Sequence, residues 1–525
     1  MVKQHSKVPA ILITVFAAFG GFLFGYDTGN ISGVIAMEFF RRNFGEFIGV
    51  SEARPNGYDL STSNKSLTVS ILSAGTFCGA LTGAPVADFF GRRLGLLLTM
   101  VIFSVGVALQ TASTALPLFI VGRVVAGFGV GLVSTMVPMY QSECAPKWIR
   151  GAVVSCYQWA ITIGLLVASI ATNGTKDFND ASCYRIPIGL QIAWAAILSL
   201  GLFFLPESPR FYIKKGKYEK AAMSLARLNA TTPDDVEVQE QLNEIRANLE
   251  VEQAHSSGSW LDCFRPGGSQ RHLLRTFTGT ILQGWQQLTG INFIFYYGTT
   301  FFLRSGISNP FIISIATNVV NVGTTVFAFW GIEKLGRRKL LIIGAIGMSF
   351  CEFIVAIVGV TTPAGNLAAQ KVLIAFVCIY IAFFASTWGP VCWVVCGEIF
   401  PLTIRAKGMA LSAASNWLWN FGIGYATPYM VDSGPGNADL GVKVFFIWGS
   451  TCAAAGLFAF FFVPETKGLT LEEIDELYAT TTIRNSSKFR PSHKYVDDVE
   501  MGAGNRVISN EGKTDAAVRE HREMA

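Results

Sequence analysis

Charge is scarce in this sequence. Asp, Glu, Lys and Arg make up 15% of its 525 residues, against about 25% in an ordinary soluble domain. Histidine is scarcer: the five, His5, His255, His272, His493 and His521, all fall outside the apolar runs. No Cys or His pair has zinc-ligand spacing, and a phosphate-binding glycine loop and a nucleophile motif are both missing. These absences speak against an enzyme and against a resident cofactor or metal. The net charge of +5 comes with no basic patch of the kind that binds nucleic acid. Cysteine is present, but Cys78, Cys156, Cys351, Cys378, Cys392 and Cys452 lie inside apolar runs, as small buried hydrophobes rather than a disulfide framework.

Apolar surface is abundant, at 51% of residues. The buried strands of a large α/β enzyme give apolar runs of about 4–8 residues. The runs here reach about 20, the length of a helix that crosses a bilayer core. The 53 glycines and 41 phenylalanines suit helices packed closely in lipid. The first run, from Pro9 to Ile35, is too long for a signal-peptide core and has no cleavage site. Twelve spans are predicted, near 10–34, 66–88, 95–113, 117–140, 152–172, 186–205, 274–298, 308–332, 339–361, 371–396, 407–430 and 443–463. The expected fold class is an all-α membrane protein. Its expected parts are a cytoplasmic N-terminus (1–9), a six-helix bundle (10–205), a cytoplasmic linker with amphipathic helices (206–273), a second six-helix bundle (274–463) and a cytoplasmic tail (464–525), disordered after about 480.

Arg92, Arg93, Lys147, Arg150, Lys334, Arg337, Arg338, Lys339, Arg405 and Lys407 fall in loops on one side of this model, and the positive-inside rule assigns that side to the cytoplasm. An even span count puts both termini there. Residues 35–65 then face outside, as does the sequon Asn173-Gly174-Thr175, a candidate glycosylation site; the sequons at Asn229 and Asn485 lie inside.

The two halves echo each other. Asp88, Gly91, Arg92 and Arg93 follow span 2, and Glu333, Gly336, Arg337 and Arg338 follow span 8. Glu143 and Arg150 follow span 4, as Glu398 and Arg405 follow span 10. Pro206-Glu207-Ser208 closes span 6, and Pro464-Glu465-Thr466 closes span 12. A duplicated six-span unit is the mark of a transporter whose halves rock about a midplane site. The acids and arginines read as charge-assisted latches between helix ends, with positive-inside placement of the arginines as the plainer alternative.

Seven motifs in order carry a family resemblance: Gly25-Tyr26-Asp27-Thr28-Gly29, Asp88 to Arg93, Gly122-Arg123, Pro206-Glu207-Ser208-Pro209-Arg210, Gln286-Gln287 with Asn292, Gly389-Pro390 with Trp393, and Pro464-Glu465-Thr466-Lys467-Gly468. From about residue 10 to 475 the chain resembles the sugar porter family of the major facilitator superfamily, in particular fungal hexose transporters and proton–monosaccharide symporters. The resemblance implies a major facilitator fold, a monosaccharide substrate taken up by alternating access at the plasma membrane, and function as a monomer in the bilayer.

A sugar presents a ring of hydroxyls and a weakly apolar face, so its site needs amides and an aromatic wall. Gln286, Gln287 and Asn292 put three amides in span 7, and Gly290 between them loosens the helix. The resemblance gives these three, Gln158, Asn321, Trp393, Asn416 and Asn420 to the sugar, with Trp417 nearby. Asn321 and Asn420 also fit plain interhelical bonds, and Trp417 plain packing. Tyr296 and Tyr297 are expected to gate the outer side, although tyrosine also suits a membrane interface. Asp27, mid-span, needs a base or a proton, and Arg123 is its expected partner. The resemblance implies that this pair couples a proton to the sugar. Some fungal facilitators also carry aspartate here, so symport and facilitated diffusion both stand. A pentose, a polyol or a non-transporting sugar sensor are the other readings; the roughly 60 residues after the last span are short for a sensor's tail.

Overall fold

The computed structural model describes residues 8–50, 56–255, 259–267, 271–304, 310–362, 366–432 and 436–490. The described residues are helical almost throughout. Val8–Ala17 (α1) and Phe19–Val34 (α2) make the first pass, followed by a short Glu38–Phe44 (α3) and a two-strand antiparallel hairpin, Glu46–Phe47 (β1) with Tyr58–Asp59 (β2). Five more passes complete the first bundle: Thr62–Phe90 (α4), Arg92–Ala112 (α5), Leu116–Cys144 (α6), Arg150–Thr175 (α7) and Ser182–Leu202 (α8). The linker holds Pro209–Lys214 (α9), Tyr218–Leu228 (α10) and Val236–His255 (α11). The second bundle comprises His272–Leu288 (α12), Ile291–Arg304 (α13), Pro310–Lys334 (α14), Arg337–Thr361 (α15), Leu367–Ser386 (α16), Trp388–Ile399 (α17), Arg405–Val431 (α18) and Val444–Phe462 (α19). Leu471–Thr480 (α20) follows, opened by a capping box in which Thr470 Oγ1 accepts from the Glu473 N–H at 3.0 Å and the Glu473 carboxylate accepts from the Thr470 N–H.

Among the described residues, ten stretches are long and apolar enough to cross a membrane. The two expected passes that miss this measure are α12–α13 and α18. The reason is local: the seventh pass is cut in two at Gly290, and α18 carries Asn416 and Asn420 on a polar face. Phe203, Phe204, Phe327, Trp330, Phe350 and Leu457 are among many large apolar side chains left exposed on the outside of the bundles. In water such a belt would be a liability, and in lipid it is the solvent-facing surface.

Inside, one buried apolar cluster runs through both bundles. Helices approach closely where glycine removes the side chain: a Cβ at Gly25 of α2 would run into the Ile161 backbone of α7. The linker helices bury a small core of their own, with Ile213, Ala221, Leu225, Val238 and Leu242 packed against Leu402. Both α10 and α11 turn apolar residues into this core. Beyond α20, Ile483–Lys488 forms a 3-10 turn, and Arg338 Nη1 donates to the Arg484 carbonyl at 3.2 Å. This stretch of the expected disordered tail is ordered; residues 491–525 lie outside the described residues. The bundles have two ends, one carrying the β1–β2 hairpin and the other the linker and α20.

Candidate functional site: an amide cluster between the two bundles

The helix break at Gly290, where φ is +81°, positions the centre of the site. A positive φ favours glycine, so the break falls where the sequence has one. It ends α12 one turn after Gln286 and Gln287 and starts α13 with Asn292 on the same side. Gln286 Nε2 donates to the Trp388 and Gly389 carbonyls of the second break, at 3.1 and 2.9 Å. Its Oε1 accepts from Asn416 Nδ2 at 2.7 Å. Gln287 Nε2 donates to Asn416 Oδ1 at 3.0 Å, and its Oε1 accepts from Asn420 Nδ2 at 3.2 Å and from Asn292 Nδ2. Asn420 Oδ1 in turn accepts from Ser73 Oγ of the other bundle at 2.6 Å and from the Tyr296 hydroxyl at 2.9 Å. Five of the eight predicted sugar ligands, Gln286, Gln287, Asn292, Asn416 and Asn420, thus form one buried network.

The other three stand apart from it. Trp393 on α17 meets the Tyr157 ring edge-on at 5.4 Å between centroids. Gln158 on α7 packs against Gly389. Asn321 on α14 is buried with neither amide atom hydrogen-bonded. Its neighbour one turn away, Asn318, crosses instead to Ser169 Oγ of the first bundle at 2.9 Å. Tyr297 donates to the Gly424 carbonyl at 2.7 Å, and Trp417 Nε1 donates to Ser134 Oγ across the bundles at 3.1 Å. A small cleft between α2, α7, α13 and α14 is lined by Ser32, Ser169, Thr172, Thr299, Ser314 and Asn318 along with apolar side chains such as Leu165 and Phe295.

Asp27 and Arg123 face each other inside the first bundle, Arg123 Nη1 to Asp27 Oδ1 at 3.9 Å, both buried. Neither carboxylate oxygen of Asp27 has a hydrogen bond, nor do Nε and Nη2 of Arg123. Gln191 of α8 faces Asp27, and its amide atoms are likewise without a partner.

At the linker end the internal repeat appears atom by atom. Gly91 and Gly336 each have φ +88°, and each turns its chain so that two N–H groups at a helix start meet one carboxylate. Glu207 accepts from the Arg92 and Arg93 N–H groups at 2.9 and 3.0 Å, and Glu465 from those of Arg337 and Arg338 at 2.9 and 3.2 Å. Arg92 Nη2 pairs with Glu143 at 2.8 Å, and Arg337 Nη2 with Glu398 at 2.7 Å. Ser208 donates to Glu143, and Thr466 to Glu398 at 2.7 Å. Glu333 approaches Arg337 at 3.9 Å.

Asp88 departs from the symmetric pattern. It pairs with Lys214 of the linker at 3.0 Å and with Lys407 of the other bundle at 3.3 Å, not with Arg92 or Arg93. Arg93 and Arg338 reach carbonyls, Arg93 Nε that of Leu202 at 2.9 Å. Arg405 Nε donates to the Phe400 carbonyl at 3.0 Å. Arg150 is buried beside Arg210, Glu472 and Glu398. Arg210 of α9 bonds Glu472 of α20 at 2.6 Å, and Arg275 of α12 meets Asp475. Burial alone would raise Glu472, but the charge and hydrogen bond of Arg210, and then Arg150, hold it down at about 2.

Contacts across the bundles close both ends. At the hairpin end Lys65 of α4 reaches Asp432 at 3.6 Å, and Ser32 meets Thr299 at 3.3 Å. Asn173 sits half-buried in the last turn of α7, with Oδ1 enclosed and Thr175 Oγ1 donating to the Cys183 carbonyl at 2.8 Å. Reading the sequence missed Gln283, whose Oε1 accepts from Asn416 at 2.7 Å; its spacing of four from Gln287 was the available signal. Ser73, Gln191 and Lys407 carry no comparable pattern, because their partners come from distant helices.

The family model described as sugar (and other) transporter matches residues 13–478. The chain belongs to that family. This transporter is 50% identical over 494 residues to the major facilitator-type transporter ecdD of Aspergillus rugulosus, covering 92% of this chain and 90% of that one. It is 46% identical to the probable glucose transporter rco-3 of Neurospora crassa, covering 95% and 84%. It is 45% identical to the high glucose sensor RGT2 of Saccharomyces cerevisiae, covering 90% of this chain and 61% of the sensor. Among solved structures, the proton:xylose symporter XylE bound to 6-bromo-6-deoxy-D-glucose superposes with TM-score 0.78 at 31% identity, over 90% of this chain and all of that one. Against the inward-open form of XylE the score falls to 0.66 over 89% of this chain and 99% of that one, at 29% identity. The protein is a multi-pass sugar transporter of the major facilitator superfamily and not an enzyme.

Proposed function

We propose that this transporter imports a hexose, with glucose as the leading substrate, by alternating access coupled to protons. The single observation that carries the reading is the buried network of Gln286, Gln287, Asn292, Asn416 and Asn420, tied to the first bundle through Ser73. Its amides bond one another as they would bond ring hydroxyls, so an entering sugar exchanges like for like and leaves no polar atom stranded. Trp393 supplies the apolar wall, and Gln158 and Asn321 bring further amides from α7 and α14. Tyr296 and Tyr297 on α13 tie to α18 and act as the outer gate.

The linker end faces the cytoplasm, with both termini, because the Gly–Arg–Arg turns lie there. The paired Arg92–Glu143 and Arg337–Glu398 contacts, with Asp88, Arg93, Arg150, Glu333, Arg338 and Arg405 around them, then latch the cytoplasmic side while the sugar is held. Asp27 supplies the coupling. Ionised, it is held near Arg123; protonated, it releases Arg123 and lets α2 move against α6. The plasma membrane and a monomeric state complete the reading, which needs no cofactor.

Two other readings remain. An aspartate at position 27 is compatible with facilitated diffusion as well as with symport, and the 45% identity to a sensor suits signalling. Radiolabelled glucose uptake in a transporter-null yeast, with and without a protonophore, separates all three. Protonophore-sensitive accumulation is the expected outcome. Uptake that only equilibrates means facilitation, and surface-localised protein without uptake moves the reading to a sensor or a different polyol.

A further inference from the structure

The transport cycle above leaves one buried acid unused. Glu352 lies on α15, roughly 22 Å along the helix from Arg337 at 1.5 Å per residue. It is 1% exposed, and neither carboxylate oxygen has a hydrogen-bond partner. The polar groups facing it are Tyr380 of α16 and Cys452 of α19, with Cys351 beside it on its own helix. Among the described residues no cation forms an ion pair with it. An ionised carboxylate without a counter-charge at membrane depth is costly on every scale.

The donors around Glu352 are already committed. A tyrosine hydroxyl has one proton to give, and Tyr380 gives it to the Thr289 carbonyl at 2.8 Å. The Cys452 thiol points at the same carbonyl, with Sγ 3.8 Å away. Both groups can still accept. A carboxylate at Glu352 therefore adds a third acceptor to a cluster that has no free donor, whereas a protonated carboxyl supplies the donor that the cluster lacks.

We propose that Glu352 is a second proton-binding site, that it holds its proton in this closed conformation, and that the proton acts through Tyr380 on the helix break at Thr289–Gly290. The route is short. The break frees the carbonyls of Leu288 and Thr289, and side chains of α16 and α19 take them up: Thr451 Oγ1 donates to Leu288 at 2.5 Å and Tyr380 to Thr289. Beyond the break, α13 carries Tyr296 and Tyr297. When the proton leaves Glu352 for water, the carboxylate competes for the Tyr380 proton and draws it off Thr289, so the break loses a tether and α13 is freer to move. On reprotonation the tether returns. Glu352 is thus a positioning residue for the gate, in the second bundle, whereas Asp27 and Arg123 lie in the first.

Infrared spectra of the purified full-length protein in liposomes test this without any substrate, so the result stands apart from the sugar assignment. Wild type at neutral pH is expected to show a protonated-carboxyl band that E352Q lacks, with D27N recorded alongside to identify any share from Asp27. In Y380F, with Glu352 intact, the band should shift, because its hydrogen-bond acceptor is gone. An E352Q spectrum with the same carboxyl band as wild type means that Glu352 is ionised, and it overturns the proton site. A Y380F band at the wild-type position overturns the link to the break. Should E352Q fail to fold, the Y380F spectrum and loss of the wild-type band on raising the pH decide the matter.

Discussion

Asp27 and Arg123 are the residues whose chemistry and geometry pull in different directions. Charge-assisted hydrogen bonds between a guanidinium and a carboxylate run at about 2.7–2.9 Å, and this pair stands at 3.9 Å with most of its polar atoms unpartnered. On the proposed coupling, a buried pair this loose is the one that gains and loses a proton. Asp27→Asn should therefore abolish protonophore-sensitive accumulation while sparing equilibrium exchange, which a counterflow assay in proteoliposomes reads directly. Gln287 occupies the centre of the amide network, bonded to Asn292, Asn416 and Asn420. If the proposed sugar site is right, its truncation removes at least one bond to the sugar, worth about 1–1.5 kcal/mol, so Gln287→Ala should raise the KM for glucose about tenfold in an uptake assay. A KM within twofold of wild type would place the sugar elsewhere.

At the scale of the element, the two breaks matter most. The seventh pass stops at Leu288 and restarts at Ile291, and the tenth stops at Ser386 and restarts at Trp388. Gln286 bridges them through its bonds to the Trp388 and Gly389 carbonyls. Gly290 has no room for a side chain: a Cβ there would lie 2.5 Å from the Trp448 ring, on a backbone at φ +81°. Gly290→Ala should cost on the order of 1–3 kcal/mol in local strain and lower uptake several-fold at equal surface expression. Normal uptake by that variant would show that the break is not a hinge.

On the scale of the whole molecule, the linker and α20 clamp the two bundles at one end. Arg210–Glu472 joins linker to tail, and Asp88–Lys407 joins bundle to bundle. Glu472 is held at about 2, below the ordinary carboxylate value of about 4.3. The sign follows: the pair's contribution is complete at neutral pH and is lost only as pH falls from about 4.5 through about 2. Limited proteolysis of detergent-solubilised protein should find α20 protected at pH 7 and cut in acid. Removing one partner of a buried pair costs about 3–5 kcal/mol, so Arg210→Gln should expose α20 to protease already at pH 7. Unchanged protection in that variant would mean that α20 is held by its apolar face alone.

The sequence by itself determined the membrane class, the two six-pass halves and their paired motifs, because these rest on local hydropathy and on spacing along the chain. It also determined the break at Gly290 and the amide face of Gln286, Gln287 and Asn292, which neighbouring residues specify. Tertiary structure decided which polar groups meet. Asn416 and Asn420 join the network, whereas Asn321 does not, although all three are single amides in apolar helices. Asp88 finds Lys407 rather than Arg92, because helix packing brings a residue more than three hundred positions away closer than one four positions away. The twelve-pass pattern was legible from the apolar runs and the internal repeat. Partner choice was not, since a polar atom in a low-dielectric interior bonds whatever the packed helices place within about 3 Å of it.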